Sequence, residues 1–285
     1  MKQLNITKLY IYVSVVLITF LTLSVSCKKK TKSSDNEVVF ETIQENNTQS
    51  VDYKKSKLNC NLHIAFTYPV SYQNEARLND LQRLFIEKVF PPRYADFSPQ
   101  EAVKNFSAQY FQDFQSIKFG DYFEDDYVLE DESGFIYELK LENEILYNRH
   151  NFISFVVKNV IYEGGAHGSN SIYGYVIDLD TGKFIKEEDF AGKNYKRNLS
   201  SLIVQKIAVA KGLSDVSQLE SIGYNAIEDI LPNDNFTIDD KGITYYFNEY
   251  EIAAYFVGTT EVFISHDELK SYITNDNPIS SLARL

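Results

Sequence analysis

The spacing of apolar residues predicts a strand, two helices and then further strands in the first half of the chain. Apolar and polar residues alternate over 58–66, which is typical of a half-buried strand. Residues 76–90 repeat apolar side chains at helical spacing and stop at a proline pair. The capping-box sequence at 98–101 opens a second predicted helix. Strand spacing then returns over 135–141 and 152–161.

The second half begins with a long predicted hairpin over residues 161–190, whose second strand ends in a turn at 180–183. A helix is predicted over 194–212, and a weaker helix over 219–231. The remaining predicted elements are a hairpin over 236–247, a strand at 262–264 and a short helix over 266–273. Hairpin connections with helices set between them predict an α+β fold. We expect mostly antiparallel sheets with packed helices, in two closely associated subdomains.

A cluster of glycines interrupts the central hairpin. Gly164, Gly165 and Gly168 lie around His167 between the two predicted strands. Glycines at this density indicate positive φ angles, a bulge, or a backbone that another molecule approaches closely. Gly164, Gly165 and His167 are therefore candidates for ligand binding.

His167 has two interpretations. With Glu163 and Asp178 on the flanking strands, its imidazole could hold a metal ion or relay a proton. Alternatively, it hydrogen-bonds the backbone of its own loop and keeps the hairpin in register. We favour the second interpretation, because the sequence has no G-x-S-x-G, H-E-x-x-H or paired C-x-x-C motif. We predict no metal and no cofactor, and His167 is catalytic only if the protein is an enzyme.

Tyrosines are dense in the same region. Tyr173 and Tyr175 alternate along the predicted strand, and Tyr250 belongs to a second cluster near residues 245–255. Exposed tyrosines form platforms for carbohydrates or proteins, whereas alternate tyrosines on a strand are more often part of a core. We favour the core and keep Tyr173, Tyr175 and Tyr250 as ligand-binding candidates.

The N-terminal sequence is typical of a lipoprotein signal peptide. Lysines precede an apolar run over 9–23, and a lipobox-like sequence ends at Cys27. We predict a signal peptide over 1–26 and lipidation of Cys27, with an uncleaved transmembrane anchor as the alternative. The polar composition of 27–55 predicts a flexible tether. These features place the protein in the cell envelope, held on an extracytoplasmic membrane face by its lipid.

The net charge that remains after removal of the signal peptide indicates which classes of partner the protein can bind. Removing residues 1–26 leaves 26 basic against 40 acidic residues, a net charge of −14. A surface of this sign repels nucleic acid, so we predict no nucleic-acid partner. The same charge steers basic partners toward the protein.

Cysteine content excludes an internal disulfide if Cys27 carries lipid, because Cys60 is the only other cysteine. Cys60 lies on the apolar face of the strand at 58–66 and is predicted to be a small buried residue. His63 lies on the opposite face, where we expect contact with solvent.

Two separated blocks resemble one bacterial extracytoplasmic family of unknown function. The first contains the sequence GGAHGSN followed by IDLDTGK, and the second runs over 242–273 with its Phe-Asn, Tyr-Glu-Ile-Ala and Gly positions in place. This family includes the lysozyme-binding domain of the anti-sigma factor RsiV and the non-catalytic N-terminal region of the deacetylase PdaC. The resemblance implies a PdaC-like domain over 56–165, an RsiV-like domain over 166–274 and a tail over 275–285.

The resemblance also implies a function. We expect a lipid-anchored binding module for a cell-envelope ligand, either a basic protein such as lysozyme or a peptidoglycan fragment, that is, a cell-wall glycan. The alternative is a cell-envelope hydrolase or deacetylase that uses His167.

Overall fold

A large sheet and two helices form the first lobe. In the computed structural model, the described residues are 36, 38–53, 56–72, 75–117, 136–164, 167–192, 195–274 and 277–284. The strands of the large sheet, in their spatial order, are β1 (Val39–Tyr53), β2 (Ser56–Ser71), β3 (Ile136–Arg149), β4 (Phe152–Glu163), β5 (Ser169–Asp178) and β6 (Lys183–Phe184). All neighbouring pairs are antiparallel except β2 and β3, which are parallel. Helices α1 (Glu75–Val89) and α2 (Pro99–Ser116) lie between β2 and β3 in the chain and contribute to the same core.

The predicted helix signals have their expected structural basis. Ser98 caps α2, and its hydroxyl accepts a hydrogen bond from the backbone N–H of Glu101. The Glu101 carboxylate accepts in return from the backbone N–H of Ser98 at 3.1 Å. Helical spacing predicts an apolar stripe that includes Ala102, Val103 and Phe114, and these three residues are buried. Phe111, outside the predicted stripe, is buried as well.

The second lobe packs around a smaller sheet. Its antiparallel strands are β7 (Phe236–Ile238), β8 (Gly242–Phe247) and β9 (Thr260–Ser265). Its helices are α3 (Glu187–Phe190), α4 (Tyr195–Ala210) and α5 (His266–Leu269). Short 3₁₀ helices occupy 216–222 and 227–229, where one weaker α-helix was predicted. The α+β class with mostly antiparallel sheets and two associated lobes is confirmed.

The two lobes meet along β4 and β5. The Ser154 hydroxyl donates to the carbonyl of Ile238 at 2.5 Å and accepts from the N–H of the same residue at 3.1 Å. Gly174 faces the backbone of Phe236 so closely that an added Cβ would lie 2.6 Å from the Phe236 carbonyl oxygen. A side chain at position 174 would therefore push the lobes apart.

The flexible tether predicted over 27–55 is wrong for residue 36 and for residues 38–53. β1 pairs with β2 over its whole length, and Val38 and Phe40 are fully buried. The polar character of β1 comes from side chains that pair across the strands rather than enter the core. The Thr48 hydroxyl donates to Asn61 at 2.9 Å, and the Ser50 hydroxyl donates to Asn59 at 2.7 Å.

Two other predicted boundaries differ from the structure, the one between the two domains and the start of the C-terminal tail. The boundary between 165 and 166 falls between β4 and β5, which are neighbours in one sheet, so the first lobe continues to β6. The predicted tail over 275–285 is partly structured, because Pro278–Arg284 forms a 3₁₀ helix. Ile279 and Leu282 on this helix are buried in the core of the second lobe.

Cys60 is fully buried, as predicted, and burial raises the pKa of its thiol to about 11. His63 is half-buried rather than freely solvated, and its Nε2 lies 2.9 Å from a carboxylate oxygen of Glu142. The lipidation candidate Cys27 lies outside the described residues. Among the helices that are described, none is long and apolar enough to span a bilayer.

Candidate functional site

The loop between β4 and β5 carries His167 on the surface. Gly164 begins the loop with a φ of 84°, a left-handed conformation that glycine adopts without strain. The exposed His167 ring stacks on the ring of Tyr255 with a centroid distance of 4.0 Å. Its Nδ1 lies 3.0 Å from the carbonyl oxygen of Gly168. His167 thus contacts its own loop, as the structural interpretation expected. Gly165, the neighbouring candidate, lies outside the described residues.

The stack continues from His167 across a second segment of chain. Tyr255 stacks on Tyr250 with ring centroids 5.5 Å apart, and its hydroxyl donates to the carbonyl of Gly168 at 3.1 Å. Tyr250 has a φ of 66° and is 63% exposed, and Phe256 is 76% exposed. We call the four side chains of His167, Tyr250, Tyr255 and Phe256 the aromatic surface. Three of its rings form a continuous row.

The backbone beneath the aromatic surface is tied down. The N–H of Asn225 donates to the carbonyl of Ile252 at 2.9 Å, and the N–H of Ala254 donates to the carbonyl of Gly223 at 2.8 Å. The Phe256 ring lies over Gly223, where an added Cβ would approach the ring to 2.4 Å. Exposed rings on a fixed backbone lose little conformational freedom when they bind another molecule.

Side chains of the second lobe cover the free edge of β5 beside the aromatic surface. The N–H groups of Ile172 and Gly174 donate to the side-chain oxygens of Asn248 and Asn235 at 2.7 and 2.6 Å. The amide nitrogens of these asparagines donate back to the carbonyl of Ile172, at 3.1 Å from Asn248 and 2.9 Å from Asn235. Asparagine amides therefore take the place of a neighbouring strand and fix the lobes in register.

The two predicted tyrosines of β5 have different surroundings. Tyr175 packs against Phe155 and Phe184, with ring centroids 5.3 and 5.7 Å away, and burial raises its pKa to about 12. It belongs mainly to the core of the first lobe. Tyr173 is 41% exposed and lies at a cavity of about 370 Å³. The cavity is also lined by Gly174, Tyr175, Asn233, Asp234, Asn235, Asn248 and Glu251.

Carboxylates border this region. Glu249 accepts hydrogen bonds from the backbone N–H and the side-chain amide of Asn170 at 3.1 and 3.0 Å. Glu251 accepts from the backbone N–H of Asn248 at 2.9 Å and from the amide of Asn233 at 2.6 Å. Both carboxylates are held in place beside Tyr250, the residue between them in sequence.

The catalytic or metal-binding constellation considered for His167 is not assembled. Asp178 lies at the far end of β5, where its carboxylate accepts from the N–H of Asp180 and the hydroxyl of Thr181 at 2.8 and 2.9 Å. Nine residues of strand, about 30 Å, separate it from the start of β5 beside His167. Within the described ranges no group of three or more His, Cys, Asp and Glu side chains is placed to hold a metal ion.

The second lobe contains a buried carboxylate that no sequence pattern indicates. Glu187 is fully buried and accepts from the Tyr195 hydroxyl at 2.7 Å and from the backbone N–H of Asp234 at 3.0 Å. Burial raises its pKa above 4.5, against the opposing effect of these hydrogen bonds. Its position in an acidic run, Glu187–Asp189, gave no sign that one member enters the core.

Two family matches cover most of the folded chain. Residues 54–170 match the family described as deacetylase PdaC, and residues 184–267 match the family described as a protein of unknown function, DUF3298. The chain is therefore similar to the PdaC family over one region and to the DUF3298 family over another. Regions of the PdaC type are extracytoplasmic. No curated protein matches the sequence.

Solved structures of DUF3298 proteins share this architecture. A DUF3298 family member from Bacteroides fragilis is 27% identical, with a TM-score of 0.79 over 88% of this chain and 99% of its own. A DUF3298 family protein from Pseudomonas aeruginosa is 12% identical, with a TM-score of 0.58 over 84% of this chain and 96% of its own. The second likeness is one of fold. Both solved structures are matched over nearly their whole length, so the fold of both lobes occurs in each.

Proposed function

We propose that this DUF3298-type protein is a lipid-anchored binding module of the cell envelope, which captures a basic, envelope-active protein such as lysozyme on the aromatic surface. The observation that carries the proposal is the continuous row of His167, Tyr255 and Tyr250, which the exposed Phe256 follows directly in the chain. Large aromatic side chains on a fixed backbone are the residues that contribute most binding energy in protein interfaces. The similarity to the PdaC and DUF3298 families, which suggests an extracytoplasmic accessory domain, supports the same conclusion.

Charge supports a basic partner. Glu249 and Glu251 flank Tyr250, and asparagines hold their carboxylates, with no lysine or arginine ion pair to either among the described residues. A net charge of −14 after removal of residues 1–26 adds a long-range attraction for cations. A basic protein would meet apolar rings at the centre of the contact and carboxylates at its rim, which is the usual anatomy of a protein interface.

A glycan is the second candidate, favoured by the cavity beside Tyr173. That cavity of about 370 Å³ is lined by the amide side chains of Asn233, Asn235 and Asn248. A polar cavity next to an exposed aromatic ring suits a sugar. A hydrolase or deacetylase based on His167 has less support, because the ring contacts described for this residue are with Tyr255 and the Gly168 carbonyl.

Calorimetry of a soluble form beginning at residue 36 separates these candidates. Lysozyme and purified peptidoglycan fragments are titrated at 0.01 M and 0.1 M salt, between which the screening length falls from about 30 to about 10 Å. We expect lysozyme to bind, and to bind more weakly at the higher salt. A glycan that binds with equal affinity at both salts, with no heat from lysozyme, would favour the second candidate. Release of acetate or reducing sugar by the wild type, absent in a stable His167→Ala variant, would show an enzyme.

A further inference from the structure

The chain enters the first lobe at a fixed point. Asn36 is 5% exposed, and its amide donates to the carbonyl of Phe152 at 2.8 Å and to the side chain of Asn148 at 3.0 Å. Its side-chain oxygen accepts from the N–H of Asn151 at 2.8 Å. The fully buried Val38 and Phe40 follow directly. The connection to residues nearer the N-terminus therefore leaves the lobe beside the turn between β3 and β4.

This turn lies at one end of the large sheet. Asn151 also ties it to the turn after β5, since its backbone carbonyl accepts from the N–H of Leu179 at 2.8 Å. Its amide donates to a carboxylate oxygen of Asp180 at 3.2 Å. We call Asn36 together with the turns at 150–151 and 180–182 the anchor end of the protein.

The aromatic surface lies at the opposite end of the same sheet. β4 starts at Phe152 beside Asn36 and runs to Glu163, next to the loop that carries His167. Twelve residues of strand cover about 36 Å. β5 returns from this loop to the anchor end, where Asp178 pairs with Lys183. The point of chain entry and the aromatic surface are thus separated by the length of the sheet.

We propose that the anchor end faces the lipid bilayer and that the aromatic surface is presented away from it, to ligands in the surrounding envelope space. This inference rests on the proposed function, because it needs the lipid on Cys27. Nine residues lead from Cys27 to Asn36, and fully extended they span at most about 32 Å. With the sheet upright and inverted, Asn36 would lie about 36 Å from the bilayer. The connection is too short for that arrangement, and its root-mean-square length of about 17 Å favours Asn36 lying close to the bilayer.

The orientation defines which partners can reach the site. A ligand the size of a small protein can approach the aromatic surface without meeting the bilayer that holds the anchor. Lipids of that same bilayer cannot reach the surface. The partner must therefore be a soluble or wall-attached molecule of the envelope, or belong to an opposing membrane.

Energy transfer from the lipidated, full-length protein in vesicles tests the orientation. A donor dye is placed on Lys183→Cys at the anchor end or on Ser169→Cys at the other end, both exposed positions, and the acceptor is on the lipid headgroups. Cys60 stays unlabelled, because it is buried and its thiol pKa is raised to about 11. We expect a loss of transfer when the donor moves from position 183 to position 169. Equal transfer, or higher transfer from position 169, would overturn the proposal.

A variant with a longer connection between Cys27 and Asn36 tests whether the length of this connection sets the orientation. Forty Gly/Ser residues inserted after Ser34 make the connection about 38 Å in root-mean-square length, so the difference between the two donors should shrink. A difference that persists would show that the length of the connection does not set the orientation. Failure of the wild type to associate with vesicles would also overturn the inference. Lysozyme binding by the soluble form does not depend on orientation, so the calorimetric result separates the two proposals.

Discussion

Replacing Asn235 tests whether the asparagine amides on the edge of β5 hold the two lobes together. The variant Asn235→Ala removes an oxygen that accepts from the N–H of Gly174 at 2.6 Å, and a nitrogen that donates to the carbonyls of Ile172 and Tyr246, each at 2.9 Å. The two carbonyls keep other donors, from Asn248 and Asn233.

The expected loss of unfolding free energy depends mainly on the N–H of Gly174, which has no other described acceptor once Asn235 is replaced. Gly174 is buried, and an unpaired buried N–H costs about 1–3 kcal/mol. With the weakened hydrogen bonds to Ile172 and Tyr246, we expect a loss of about 2–3 kcal/mol in the free energy of unfolding. For a folded chain of this size, that corresponds to a fall in Tm of about 5–10 °C.

Urea denaturation of the soluble form, followed by circular dichroism and tyrosine fluorescence, measures this loss. The matched control is Asn170→Ala, which removes an exposed side-chain hydrogen bond to Glu249 but keeps the backbone one. We expect the control to change the free energy of unfolding by less than about 0.5 kcal/mol. If Asn235→Ala destabilises no more than the control, the amides on the β5 edge do not lock the lobes.

Three further substitutions test the corrected limits of the fold and the buried carboxylate. Phe40→Ala removes a fully buried ring that packs 5.8 Å from Phe85, so it should destabilise by about 3–5 kcal/mol in urea, whereas the 41% exposed Phe97→Ala should cost less than about 1 kcal/mol. Leu282→Ala should destabilise by about 2–5 kcal/mol, because this side chain is 1% exposed. Burial raises the pKa of Glu187, so the wild type should lose unfolding free energy as pH rises above about 4.5. Urea titrations at several pH values measure this loss. The variant Glu187→Gln should not show it.

Each of these three predictions has an outcome that would contradict it. Equal stabilities for Phe40→Ala and Phe97→Ala would mean that β1 is a flexible tether and is not packed on the core. An unaltered urea midpoint for Leu282→Ala would mean that the C-terminal 3₁₀ helix is not packed on the second lobe. For Glu187, wild type and Gln variant are compared at each pH, so that the overall charge of the protein cancels. Parallel stability curves would show that the carboxyl has the same pKa in the folded and unfolded states.

The sequence predicted those elements whose apolar residues face one continuous core. Helices α1, α2 and α4 carry such stripes, and β2 alternates around Leu62 and Ile64. β1 escaped prediction because it lies at the edge of the sheet, and Phe40 is the only buried residue over 39–52. Its many polar side chains pair with β2, a pattern that composition alone does not distinguish from disorder.

The candidate site was predicted in part. Glycine density pointed to the His167 loop, and tyrosine density pointed to the segment around Tyr250. That these segments meet depends on the packing of the second lobe against β5, which no local pattern encodes. For the same reason Tyr255 and Phe256 were not selected as site residues, and Asp178 was placed beside His167 although it lies at the other end of its strand.

The most direct test of the central claim is the affinity for lysozyme of variants on the aromatic surface. Tyr250→Ala and Phe256→Ala remove side chains that are 63% and 76% exposed, so their folds should be intact. Phe97→Ala, in the other lobe, is the matched control. We expect each surface variant to weaken lysozyme binding at least about tenfold, or about 1.4 kcal/mol, while the control binds as the wild type does. Unchanged affinity in both surface variants would contradict the assignment of this surface as the binding site.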